Sequence, residues 1–269
     1  YFSLACIEDK VPIKNNQGSI SADFYSLVED IEQHLNKNIK KWGTNTLRSQ
    51  NCTFKFKREW IGDVGLFLQK KRYVLHSLDE EGVAAEKFKY VGVSVVRSTM
   101  PNSIKPHCKK IIETMLLTRS NQTTNKVINE IYELFKKMPP EEVAVVSGIQ
   151  NYEAYAAKCT NFQTSKGMPH HVKAAYFYNT LLDRYGIVQK YEPISSGDKM
   201  KIVHVQKPNK YNLNTVGFKY EFPEEFKRDF AVNYEVMFEK LVYSMVESFY
   251  EPVNWSIRKP TENVRTELF

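Results

Sequence analysis

"LFLQKKRYVL", residues 66–75, decides how the first third of the chain is drawn. Its apolar ends and its aromatic and β-branched content read as a strand, yet Gln69, Lys70, Lys71 and Arg72 interrupt it. With the two-residue period of a strand, Lys71 and Tyr73 share one face while Lys70 and Arg72 share the other. Neither set tolerates burial without partners, since an unpaired polar group costs about 1–3 kcal/mol and a charge costs more. At least one face therefore meets solvent or an anion. A lysine beside a tyrosine on a rigid strand can touch a phosphate, a sugar edge and a minor-groove acceptor together, which holds a duplex in register without reading its sequence. A plain solvated sheet face accounts for the same spacing.

Working outward, "CTFKFKREW" alternates over Thr53–Lys57 and reads as a half-buried strand with Phe54 and Phe56 on one face. "IGDVG" reads as a glycine-bearing turn leading into 66–75, and "DEEG" as the turn before a further strand in "KFKYVGVSVV". Upstream, "YFSLACIE" reads as a short strand and "PIKNNQGS" as a turn, and Phe24, Leu27, Val28, Ile31, Leu35 and Ile39 keep the spacing of one helix face over about 22–41. Strands joined by short turns imply an antiparallel sheet with that helix packed on it, in a first domain over 1–94.

Beyond it the pattern turns helical. Ile104, Cys108, Ile111, Ile112 and Met115 make one stripe; Val127, Ile128, Ile131, Leu134 and Phe135 make another over about 125–137, stopped by "KKMPPEE". "NYEAYAAKC" and "HHVKAAYFYNTLLDRYG" read as helices, the second closed by Gly186. "YEPISSGDKMKIVHVQ" turns at Ser196-Gly197-Asp198 and enters a strand, and a last helix over about 231–250 aligns Tyr234, Met237, Phe238, Leu241, Met245 and Phe249. The fold class is α+β, with a second, mostly helical domain over 95–269 that carries a small inserted sheet.

The 269 residues are 42% hydrophobic and 26% charged, a globular composition that excludes a disordered tail or a fibre. No apolar run is long enough to span a bilayer, and no leader pattern opens the chain. Cys6, Cys52, Cys108 and Cys159 lie too far apart for a zinc module and read as reduced thiols. The net charge of +7 is unevenly placed: residues 51–110 carry twelve Lys and Arg against six Asp and Glu, and residues 159–210 carry eight against three. Two positive segments around a near-neutral one suit a polyanion held from two sides, although surface lysines of an ordinary basic protein give the same sums.

Candidate catalytic groups are sparse. Two-metal phosphoryl transfer needs carboxylates brought together from neighbouring strands. Only Glu8, Asp9 and Glu59 are placed for it in the first domain, and none forms a D-x-D pair. His170 and His171 are adjacent, so on a helix they do not face each other; "HHVK" reads better as a phosphate-facing helix start to which His171 and Lys173 add donors. Lys190, Lys199, Lys201 and Lys207 extend such a surface around the small sheet. No GxxxxGK loop, GxSxG elbow or Cys/His nucleophile is present. Leu268 and Phe269 close the polar "ENVRTELF" and read as a tail that docks in a partner's pocket.

"FKREWIGDVGLFLQKKRYVLHSLDEEGV" with "KFKYVGVSVVRSTMPNSIKP" resembles the end of the palm and the palm-to-thumb junction of family B DNA polymerases, most like the replicative enzymes of T4-type bacteriophages. "KGMPHHVKAAYFYNTLL", "GDKMKIVHV" and "VNYEVMFEKLVYSMVESFYEPVNW" are similar in order and spacing to the thumb of the same family, so the resemblance covers essentially the whole chain. It implies the C-terminal portion of a DNA-directed DNA polymerase that grips primer-template DNA during nucleotidyl transfer from a deoxynucleoside triphosphate to a primer 3′-hydroxyl. Lys71 and Tyr73 would then grip the primer terminus, supported by Lys70 and Arg72. Glu59 would lie near the metal site, with Lys57 standing where some members have an aspartate. His171, Lys173, Lys199 and Lys201 would lie along the duplex, and Leu268 and Phe269 would meet a sliding clamp.

The resemblance also implies magnesium bound mainly by residues absent from this chain, because "YFSL" reads like the strand that follows a D-T-D-S turn. The exonuclease, fingers and catalytic aspartates would belong to a missing N-terminal part, in a virus-encoded enzyme of the infected bacterial cytoplasm. A non-enzymatic double-stranded DNA-binding module or accessory subunit is the alternative.

Overall fold

The computed structural model describes residues 11–259. The expected first strand, Glu8, Asp9 and the Leu268–Phe269 tail lie outside them. The chain divides into two compact units between Val91 and Gly92. Both are α+β, each built on a three-stranded antiparallel sheet.

In the first unit, "PIKNNQGS" turns as expected, with the Asn15 side chain accepting from the Gln17 and Ser19 N–H groups. Helix α1, Ala22–Asn45, starts at Ser21, whose Oγ accepts from the Phe24 N–H at 3.2 Å. Strands β1 Trp60–Gln69, β2 Arg72–Glu80 and β3 Val83–Val91 follow in that spatial order.

Two expectations fail here for physical reasons. Residues 51–59 form no ladder, because side chains of α1 take the place of a neighbouring strand. Asn36 donates to the Phe56 carbonyl and accepts from its N–H at 3.0 and 2.8 Å, and Glu32 accepts from the Arg58 N–H at 3.2 Å. Phe54 is left exposed, against the Trp42 ring at 6.4 Å. The expected "IGDVG" turn is instead the first half of β1. A Cβ on Gly62 would sit 2.5 Å from the His76 carbonyl oxygen, so the glycine permits close backbone approach within a bulged ladder and does not reverse the chain.

β2 is the central strand, and Val74, His76, Ser77, Leu78 and Asp79 are buried on it. Fully buried Asp79 accepts from Arg58 Nη2 at 2.9 Å, the Tyr25 hydroxyl at 2.9 Å and the Gly82 N–H at 3.0 Å. Burial and that bond to Asp79 push the Tyr25 hydroxyl above its usual range. β2 and β3 are joined by Glu81 and Gly82, both with positive φ (54° and 94°), the backbone that matches the twist of paired strands.

The second unit begins with α2 Lys105–Thr118, whose expected stripe is buried. α3 spans Asn121–Phe135 and starts earlier than its apolar stripe suggests, because Ser120 Oγ caps the Thr123 N–H at 3.2 Å. Its Leu134 is exposed, and Ile128, Ile131 and Phe135 carry the packed face. After α4 Pro140–Val143 come β4 Val145–Gly148, α5 Tyr152–Ala156, α6 His170–Tyr185, β5 Lys199–His204 and β6 Thr215–Phe218. Gly186 closes α6 at φ 66°, as its spacing predicts.

β4, β5 and β6 form the inserted sheet, and α6 lies on it. A Cβ on Gly217 would meet Met200 Sδ at 2.3 Å and the Ala174 carbonyl at 3.1 Å, so this glycine sets how closely α6 approaches. α7 Glu224–Lys227 precedes the last helix, which runs as α8 Tyr234–Phe238, a π turn Glu239–Tyr243 and α9 Ser244–Tyr250. The extra residue of the π turn widens the buried face, so Val242, Tyr243, Val246 and Tyr250 join the expected Met237, Phe238, Leu241, Met245 and Phe249.

Candidate nucleic-acid interface

The segment 66–75 is not one strand. β1 ends at Gln69, Lys70 and Lys71 are the two-residue connection, and β2 starts at Arg72. The alternation that pairs Lys71 with Tyr73 on one face therefore does not apply. Lys70 and Lys71 stand exposed at a hairpin tip. The run lacks the glycine or asparagine that marks such a turn; Lys71 itself takes the left-handed backbone at φ 62°, which costs a side-chain-bearing residue about 1–2 kcal/mol.

Ion pairing separates this tip from the rest of the sheet. Lys14 pairs with Asp63, Lys57 with Glu81, Arg58 with Asp79, and Lys87 and Lys89 with Glu80. Among the described residues, no carboxylate lies within salt-bridge distance of Lys70, Lys71 or Arg72, and the Arg72 Nε is buried without a hydrogen-bond partner. Beside these cations Tyr73 faces Phe67 across the β1–β2 ladder, their rings stacked with centroids 5.2 Å apart and planes 27° apart. Phe67 is 52% exposed. Three adjacent uncompensated cations next to an aromatic pair make a local positive potential with an apolar edge, suited to phosphate and sugar contact. The cations are legible in the sequence. Phe67 is not, because its partner across the ladder depends on where the turn falls.

Glu59 precedes β1, its main-chain carbonyl accepting from the Glu81 N–H at 2.9 Å. Among the described residues no three His, Cys, Asp or Glu side chains come together to hold a metal ion. Glu59 is not joined there by a second and third ligand of these types.

In the second unit, His171 and Lys173 lie in the first turn of α6, which has Pro169 at its start and no side-chain cap. Lys173 extends over the Phe177 ring, its Nζ 5.6 Å from the centroid. The lysines around the small sheet are not equivalent. Lys190 pairs with Glu225 at 3.1 Å, and its bonds to Tyr191 and Glu225 hold its ammonium group above the usual range. Lys207 is exposed just after β5. Along β5, Met200 meets Gly217 on the side facing α6, so alternation turns Ile202 and His204 toward α6 and Lys199 and Lys201 away from it. The exposed Lys199 and the half-buried Lys201 thus share a face that His171 and Lys173 do not. His204, unmarked by any motif, is the β5 residue whose ring lies beside that of His170 at the start of α6, with centroids 6.3 Å apart.

Cys52, Cys108 and Cys159 are free thiols, and burial pushes the Cys108 thiol up to about 12. Among the described residues no helix is long and apolar enough to cross a membrane. Comparison of the chain with protein-family models and with curated proteins produced no match.

Proposed function

We propose that this chain is the duplex-gripping part of a DNA-directed DNA polymerase, corresponding to the end of the palm and the thumb of the family B enzymes its sequence resembles. One observation carries the reading: Lys70, Lys71 and Arg72 stand together without a counter-ion among the described residues, while neighbouring lysines are paired. The strained φ of Lys71 and the Phe67–Tyr73 stack support it, since a positively charged turn beside an aromatic edge suits the primer backbone and its sugar. His171 and Lys173 supply further donors in the second unit. The bond-making carboxylates and their magnesium ions come, on this reading, mainly from an upstream polymerase part, and a sliding clamp is a further partner.

Fluorescence anisotropy with a labelled primer-template, paired with a primer-extension assay in magnesium, tests the proposal. The purified chain binds duplex weakly, losing affinity steeply with salt, extends no primer alone, and supports extension once the upstream part is added. Salt-insensitive binding, no binding at all, or extension by the chain alone with contamination excluded overturns it.

A further inference from the structure

A second uncompensated positive stretch of the first unit lies outside its sheet. From Gln33 to Arg58 the chain carries seven Lys and Arg and no Asp or Glu. Lys57 and Arg58 are paired with Glu81 and Asp79 at 2.7 and 2.9 Å. Lys37, Lys40, Lys41, Arg48 and Lys55 are exposed and form no ion pair among the described residues. The last turn of α1 holds no basic residue, so the helix dipole does not account for Lys37, Lys40 and Lys41.

The chain folds back so that two aromatic rings meet among these cations. Past α1, Arg48 takes the left-handed backbone at φ 51°, and the Ser49 N–H donates to the Gly43 carbonyl at 3.1 Å. Residues 49–56 then run back along the helix: the Cys52 thiol donates to the Ile39 carbonyl at 3.7 Å, and Asn36 holds both main-chain groups of Phe56. Gly43 permits this approach, since a Cβ there would sit 2.4 Å from Cys52 Sγ. Phe54 is thereby set beside Trp42, with ring centroids 6.4 Å apart and planes at 48°. That tilt is neither a stack nor an edge-on contact, and Trp42 stays 46% and Phe54 57% exposed. Lys41 precedes Trp42, Lys37 lies one helical turn before Lys41, and Lys55 follows Phe54.

We propose that Trp42 and Phe54, with Lys37, Lys41 and Lys55 around them, form a stacking platform for single-stranded nucleic acid. Exposed rings offer π-faces to unstacked bases while the lysines follow the phosphates. A duplex cannot use the rings, because its base faces are already stacked on one another. An acidic protein is the poorer fit. Protein interfaces are depleted in lysine and keep charge out of their centre, whereas the chain neighbours of these rings, and the residue one turn before Trp42, are Lys41, Thr53, Lys55 and Asn38. The platform does not rest on the function proposed above, which concerns duplex held at Lys70–Tyr73.

Fluorine NMR of the full chain labelled with fluorotryptophan tests this, the Trp42 signal being assigned with Trp42→Phe. The probes are oligothymidylate, oligouridylate, a mixed-sequence DNA duplex of equal charge and polyglutamate, at constant ionic strength. Oligothymidylate is expected to shift the Trp42 signal more than duplex or polyglutamate does, and the oligouridylate arm tells DNA from RNA as the source. Trp42→Ala and Phe54→Ala, both at exposed positions, each lower oligothymidylate affinity roughly tenfold with the urea midpoint little changed, and Trp42→Phe retains most of it. Replacing Lys37, Lys41 and Lys55 by Gln lowers the salt slope of oligothymidylate binding by about two. A Trp42 signal that oligothymidylate leaves in place overturns the platform, even where the strand binds elsewhere. An equal or larger shift with polyglutamate makes the surface a protein-docking one and overturns it too, as does an equal shift with duplex. A Trp42 response to oligothymidylate in a chain that binds no duplex leaves the platform standing and overturns the polymerase reading; salt-dependent duplex binding without that response does the reverse.

Discussion

The two ends of β2 put charge to opposite uses. At one end Asp79 is fully buried and bonded to Arg58, Tyr25 and Gly82, so the Asp79 and Arg58 charges offset each other, although the Arg58 Nε, like that of Arg72, is buried without a hydrogen-bond partner. At the other, Arg72 and the adjacent Lys70 and Lys71 have no carboxylate partner among the described residues. Arg72 and Asp79 are seven positions apart on one strand, so the difference does not come from strand propensity. A buried charge survives only if it is compensated, whereas a cation left uncompensated at an exposed tip keeps its field for whatever approaches. The paired end contributes to folding, and the unpaired end is available for binding.

Three variants test that contrast. The largest effect belongs to the buried end: Asp79→Ala strands Arg58 and should lower the unfolding free energy by about 3–5 kcal/mol, read from the urea midpoint. A midpoint close to wild type would mean that Arg58 reaches solvent easily and that the two ends differ less than their burial implies. Next, replacing Lys70, Lys71 and Arg72 together by Gln should leave the urea midpoint nearly unchanged while the salt slope of duplex binding falls by about 2–3. An unchanged slope in anisotropy titrations would remove the tip from the interface.

The smallest effect is the most discriminating. Lys71→Gly relieves the left-handed backbone but loosens the unfolded chain, so stability should be unchanged or raised by up to about 1 kcal/mol. Duplex affinity should nonetheless drop. A variant that is both less stable and unimpaired in binding would make Lys71 a structural turn residue.

Much of the architecture was readable because it rests on local signals. The stripe of α2, the length of α6 and its stop at Gly186 follow from helical spacing and from the need for a left-handed closing residue. The first sheet was harder. Alternation in 53–57 is genuine, yet Asn36 and Glu32 on α1 satisfy that backbone, and no local window contains them. The turn at Lys70–Lys71 carries none of the residues that usually pay for a positive φ, so cations that read as mid-strand stand at a tip. In the second unit, His171 and Lys173 were legible from "HHVK", whereas the His170–His204 contact spans two elements and leaves no trace in either one.

Between Trp60 and Phe67, Asp63 of β1 has no main-chain partner in β2 and Leu78 of β2 has none in β1, while nearer the tip Leu68 of β1 is also skipped. Asp63 and Leu78 cancel: Trp60 stands opposite Glu80 before them, and Phe67 stands opposite Tyr73 after them, in the same register. The hairpin thus behaves like a vernier with two opposed offsets. Losing either residue alone would slide the tip half of the ladder by one position and exchange its faces, whereas losing both would leave the tip where it is. Length changes between Trp60 and Phe67 are therefore tolerable in the β1–β2 ladder only in matched pairs.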